Sequence, residues 1–177
     1  MQFVKNGPDV PEKLLQAHEE GRVVFFCGAG ISFPAKLPGF SGLVWDLYNQ
    51  LGITPDVVQE QALKAGQFDT AVSLLESVKP TNEWRRDVRK TMANLLKPDL
   101  SSQKSTLTHK ALLELSTTHE DKIRLITTNF DRVFEHVARE ESLDIASYKA
   151  PLLPIPKNRW NGLVYLHGLL PEDGFVA

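Results

Sequence analysis

Three short apolar runs constrain the fold of this chain more than any other feature, because each stops abruptly at glycine or small polar residues. Arg22-Val23-Val24-Phe25-Phe26-Cys27 runs into Gly28-Ala29-Gly30-Ile31-Ser32. Ile123-Arg124-Leu125-Ile126-Thr127-Thr128 runs into Asn129-Phe130-Asp131, and Leu163-Val164-Tyr165-Leu166 into His167-Gly168. Runs of this length, bounded by breakers, read as strands buried in a parallel sheet. Helix-patterned sequence separates them, so the expected class is α/β with a parallel sheet. In such sheets ligands bind beyond the carboxyl ends of the strands, and all three polar clusters fall there.

The intervening sequence carries helix signals. Pro11 to Glu20 reads as a first helix, with Asp9 near its start and Gly21 past its end. Two prolines and two glycines make residues 33–42 a predicted loop. Leu43, Val44, Leu47, Tyr48 and Leu51 then recur at helical spacing, closed by Gly52. Further helices are expected over about 55–65 and 67–78, from an N-cap at Thr81 to about Leu96, and over Thr108 to Thr117 with Leu112, Leu113 and Leu115 toward the core. Together they form a helical insertion, about residues 43–120, between the first two clear strands. After the second strand, Val133, Phe134 and Val137 share one helix face. Residues 144–160 hold three prolines, and a short strand is expected at Ala146 to Lys149.

Composition excludes several classes. A net charge of −2 does not suit a chain built to neutralise phosphates, so no direct nucleic-acid grip is expected. The basic run Trp84 to Lys90 lies in a helical pattern and reads as a solvated face. No apolar stretch approaches the ~20 residues of a membrane span, and the N-terminus lacks a signal-type apolar core, so a cytoplasmic protein is expected. The one cysteine, Cys27, excludes an intrachain disulfide and a cysteine-rich zinc site.

The three clusters carry residue types suited to a phosphorylated ligand. Glycines at 28 and 30 allow a tight turn and close backbone approach to a pyrophosphate, and Ser32 adds a hydroxyl. A plain strand-to-helix turn explains them equally well. The usual dinucleotide fingerprint is incomplete, since Phe33 stands where its third glycine would fall. At the second cluster an amide, Asn129, can hold a ribose hydroxyl or a water, and a carboxylate, Asp131, can accept an amide N–H. Helix capping by Asp131 would account for the same residue without a ligand. Of five histidines, only His167 ends a predicted core strand, and it is the natural general base. His18, His109, His119 and His136 fall on predicted helices or their ends, where solvation or capping is expected.

In order and rough spacing, Gly28-Ala29-Gly30-Ile31-Ser32, Thr127-Thr128-Asn129-Phe130-Asp131 and Leu166-His167-Gly168 resemble the sirtuin superfamily. The resemblance implies a Rossmann-like sheet flanked by helices, spanning residues 1–177 as one NAD-binding domain. It assigns the NAD pyrophosphate to Gly28, Ala29, Gly30 and Ser32, the nicotinamide–ribose pocket to Thr128, Asn129 and Asp131, and the catalytic histidine to His167. The four-cysteine zinc module and the longer acidic-aromatic loop of protein-deacylating sirtuins are missing. Pro34-Ala35-Lys36-Leu37-Pro38-Gly39-Phe40 and the Asn-Phe-Asp form of the second motif are instead similar to bacterial sirtuin-like NAD hydrolases.

That likeness implies hydrolysis of NAD to nicotinamide and ADP-ribose, with no metal, as the effector of an antiphage defence system. It also implies a sensor or accessory module, such as an Argonaute-like protein, a helicase or a nucleotide-ligand sensor. Two other readings stay open: a module that binds NAD or ADP-ribose without turnover, and an NAD-dependent protein deacylase. Sirtuin-like domains usually continue past the His-Gly motif, so a C-terminally incomplete domain and self-association are expected.

Overall fold

The computed structural model of the protein describes residues 1–150 and 160–170. Helix α1 (Glu12–Glu19) leads into strand β1 (Phe25–Cys27), a 3-10 helix over Ala29–Ala35, and five helices: α2 (Phe40–Gln50), α3 (Val57–Lys64), α4 (Phe68–Ser77), α5 (Asn82–Leu95) and α6 (Lys104–Ser116). Strand β2 (Arg124–Thr127), helix α7 (Val133–Glu140), β3 (Ser147–Lys149) and β4 (Gly162–Tyr165) complete the fold. The four strands form one sheet in the order β1-β2-β4-β3, and every pair is parallel. This is the expected α/β, Rossmann-like class, with the helical insertion between the first two clear strands.

Alternation along the strands divides the sheet's two faces. Phe25 and Cys27 lie level with Leu125 and Thr127, which lie level with Leu163 and Tyr165. This face packs against Leu113 of α6 and Val133, Phe134 and Val137 of α7 in one core. On the opposite face Val164 is buried, but Val24 is 44% exposed and Phe26 63%. The expectation of a fully buried first strand is therefore corrected. Among the described residues β1 has a neighbour on one side only, so its outer edge and second face meet solvent. The ladder also starts at Phe25 rather than Arg22.

Helices α2 to α5 build a second core from Leu43, Leu47, Tyr48, Leu63, Leu75, Trp84, Val88, Met92 and their neighbours. Its two large amphipathic side chains satisfy their polar tips on backbone: Tyr48 Oη donates to Ala71 O at 2.8 Å and Trp84 Nε1 to Leu75 O at 2.8 Å. Local signals set the helix starts. Asp56 and Gln59 form a reciprocal capping box on α3, and the Thr81 hydroxyl accepts from Trp84 N on α5. The basic run on α5 buries Trp84 and pairs Arg89 with Glu76 at 3.0 Å.

Two local expectations change. Three of the ten residues of the predicted loop at 33–42 belong to the 3-10 helix, and α2 begins at Phe40. Helix α6 starts at Lys104 and returns to the sheet, burying Leu113 but leaving Leu115 50% exposed. The short strand expected at 146–149 is β3, on the far side of β4, while residues 151–159 fall outside the described residues.

Candidate active site

Strand register brings the three motifs together. Cys27, Thr127 and Tyr165 are partners across β1, β2 and β4, so the residues that follow them leave the sheet at one level. Thr128 N donates to Cys27 O at 3.0 Å and Leu166 N to Thr127 O at 2.9 Å, which holds the exits in line. Adjacent strands lie about 4.8 Å apart. The glycine turn, the Asn-Phe-Asp segment and His167 therefore emerge within about 10 Å of one another across the sheet edge.

Their meeting point is a cavity of about 240 Å³ lined by Ala29, Ser32, Thr128, Asn129, Asp131 and His167 from the motifs. Pro38, Phe40, Leu43, Leu96 and Phe130 supply an apolar wall. Gly28 and Gly30 flank Ala29 without lining the cavity themselves. Neither needs to be glycine for a tight turn: Gly28 is extended at φ −118°, ψ −177°, and Gly30 is not among the residues with positive φ. The turn expectation is thus corrected, and close approach remains. A Cβ added at Gly30 would meet no atom within 4 Å, so this stretch of backbone presents an open side.

Behind the cavity sits a buried polar cluster. Ser32 Oγ donates to Asp131 Oδ2 at 2.7 Å, and Asn129 Nδ2 donates to both Ser32 Oγ and Asp131 Oδ2 at 3.1 Å. Asp131 Oδ1 accepts from the backbone N of Val133, the first residue of α7, at 3.1 Å, a local side-chain-to-backbone bond just ahead of the helix. With two donors on Oδ2 and one on Oδ1, the carboxylate keeps one acceptor position for a ligand N–H. Asn129 is 6% exposed, and its Oδ1 has no partner among the described residues. A buried amide oxygen left unbonded is costly.

The fourth member of the cluster was not foreseen. His109 of α6 is completely buried, with Nε2 3.2 Å from Ser32 Oγ and its ring edge-on to Phe134 at 4.7 Å. The expectation of solvation or capping for His109 is corrected. Nothing in its helical surroundings marks it, because its burial depends on where α6 docks. Ser105 of the same helix donates to Pro34 O at 3.3 Å, so α6 clamps the segment that follows the glycines. Burial lowers the His109 pKa, opposed by the Asp131 charge.

His167 is exposed and, among the described residues, makes no hydrogen bond; its ring lies 6.2 Å from that of Phe130. Phe130 in turn lies 5.9 Å from Phe40, the first residue of α2. Sequence reading also missed Phe40 and Asp69. They come from α2 and α4, and both line this cavity and an adjoining one of about 410 Å³ that shares His167 and Phe130. Among the described residues, no group of three or more His, Cys, Asp or Glu side chains could hold a metal ion, and no helix is long and apolar enough to cross a membrane.

The uncharacterized protein y4cA of Sinorhizobium fredii is 33% identical over 172 residues, covering 94% of this chain but 14% of the relative, so the chain spans a small part of that protein. Residues 123–176 match the family model of the SIR2-like domain, a span that holds the second and third motifs and associates the chain with the NAD-related chemistry of the sirtuin superfamily. Those two motifs lie inside the matched span and the glycine segment stands level with them in the sheet, an arrangement consistent with a sirtuin-like domain.

Proposed function

We propose that this domain hydrolyses NAD to nicotinamide and ADP-ribose. The observation that carries the reading is that buried Asn129, whose Oδ1 has no partner among the described residues, lines one cavity together with His167. The cavity suits the nicotinamide–ribose half of the dinucleotide, and the diphosphate passes the open side of Gly30. Thr128, which lines the same cavity, contacts the ribose in this reading. Asp131 Oδ1 takes the carboxamide N–H, and the Phe130 and Phe40 rings face the cationic pyridinium.

In the reaction, the bond from ribose C1′ to the pyridinium nitrogen breaks and its electron pair stays with nicotinamide. The resulting oxocarbenium-like centre needs positioning and charge more than a strong nucleophile. Asn129 Oδ1 orients the ribose hydroxyl or the attacking water. Water adds to C1′, and its proton passes to His167. No metal enters this scheme.

The rival reading is NAD binding without turnover. One observation favours it: His167 has no hydrogen-bond partner among the described residues to aim its ring, as a general base usually does. Nicotinamide release settles the matter. The wild-type chain is expected to consume NAD, while His167→Ala and Asn129→Ala each reduce turnover at least about 100-fold with unchanged melting. NAD binding by calorimetry with no nicotinamide release would favour the rival.

In its setting we infer an effector within a larger protein or assembly, in which a sensor module supplies the trigger and NAD depletion serves antiphage defence. The exposed Val24 and Phe26 on the open face of the sheet support self-association or docking of such a module.

A further inference from the structure

The buried histidine of α6 lies outside the scheme above, yet it touches the group around which the polar cluster is arranged. We propose that His109 is a positioning residue: by donating its Nε2–H to Ser32 Oγ it directs the Ser32 proton onto Asp131 and fixes the orientation of the Asn129 amide at the cavity wall. The inference rests on the reading that Asn129 Oδ1 orients the ribose or the attacking water.

Counting protons carries the argument. Three groups surround Ser32 Oγ: Asp131 Oδ2 at 2.7 Å, Asn129 Nδ2 at 3.1 Å and His109 Nε2 at 3.2 Å. A carboxylate can only accept and an amide nitrogen can only donate. The single hydroxyl proton therefore goes to Asp131, and Ser32 accepts from Asn129. One acceptor position on Oγ is left for the imidazole, which requires the proton to sit on Nε2. The other ring nitrogen is then bare, and His109 Nδ1 indeed has no hydrogen-bond partner among the described residues. Burial, which disfavours the charged ring, keeps the imidazole in this neutral form.

The alternative tautomer breaks the arrangement. With Nε2 bare, the serine would be drawn to donate to the imidazole, and Asp131 would lose its shortest hydrogen bond. The carboxylate and the Asn129 amide bonded to it would then be free to turn. The effect reaches the cavity only through Ser32. Contact between His109 and Phe134 fixes the ring plane, so the donor's direction is set by the packing of α6 against α7.

The test uses the chain with two substitutions at 109. His109→Gln keeps an N–H donor near the Nε2 position, and His109→Phe keeps the ring and its contact with Phe134 but has no donor. For NAD turnover, His109→Phe is expected to lower kcat about 10- to 100-fold with KM changed less than about threefold, and His109→Gln to recover most of it. In a Ser32→Ala background, His109→Phe should cost nothing further. Equal losses in both variants, a loss confined to KM, or additive losses with Ser32→Ala would overturn the proposal. Nitrogen NMR of the wild-type protein reads the tautomer directly, whether or not the chain turns over NAD. A neutral ring with the proton on Nε2 supports the proposal; a proton on Nδ1 refutes it. Absence of NAD turnover by the wild type would sink the proposed activity and leave this spectroscopic result to decide the role of His109.

Discussion

Replacing Gly30 by alanine separates two reasons for a glycine at this place. Were the residue there to allow a strained turn, the substitution would destabilise the fold. Instead Gly30 lies within the 3-10 helix, lacks a positive φ, and has nothing within 4 Å of an added Cβ. Alanine at a compatible backbone position stabilises by about 0.4–1 kcal/mol, chiefly by restricting the unfolded chain. For a chain of this length that raises Tm by about 1–4 °C. The same methyl group stands where a diphosphate would approach the main-chain N–H groups. Losing one hydrogen bond to a charged oxygen costs about 1.5–3 kcal/mol, or roughly 10- to 150-fold in affinity. Thermal melting and NAD calorimetry on the same preparation read both effects. A variant that melts higher and binds NAD as well as the wild type would show that the ligand does not pass Gly30. A variant that melts lower would show that the backbone conformation itself requires glycine.

Three other perturbations test the frame around the site. Gly162 has φ +142°, and an added Cβ would lie 2.1 Å from Ala146 O, so Gly162→Ala must push β3 away from β4; a loss of at least about 2 kcal/mol is expected in urea unfolding. Asp131→Ala strands the donors of Ser32, Asn129 and Val133 and should cost about 1–3 kcal/mol, while a melt unchanged from wild type would refute the cluster as described. Burial lowers the His109 pKa, so the unfolded chain binds its proton before the folded one does as pH falls. The His109 contribution to stability is therefore flat above the unfolded value of about 6.5 and declines below it, by at most about 1.4 kcal/mol per pH unit. His109→Gln should remove that decline, and identical pH profiles for the two proteins would show that the imidazole is not held neutral.

Much of the architecture is written locally. Apolar runs broken by glycine or small polar residues mark β1, β2 and β4, helical spacing marks α2 and α7, and Thr81 marks the start of α5 by the cap it makes. The three motifs could be read for the same reason, since each sits directly at the end of its strand. Register could not be read. Whether Cys27, Thr127 and Tyr165 stand level is settled by long-range pairing, and a slip of one residue would turn each side chain to the other face.

The position of β1 at an edge, with Phe26 exposed, is a property of its neighbours and not of its own apolar composition. His109 shows the distinction most sharply. Its helix predicts nothing about its role, because the residue gains its contacts only when α6 docks between the 3-10 helix and α7 and places the imidazole beside Ser32. Sequence by itself determined which elements form and which polar groups lie at their ends, because those depend on spacing along the chain. Tertiary structure alone decided which groups touch, because contact depends on residues brought together from distant parts of it.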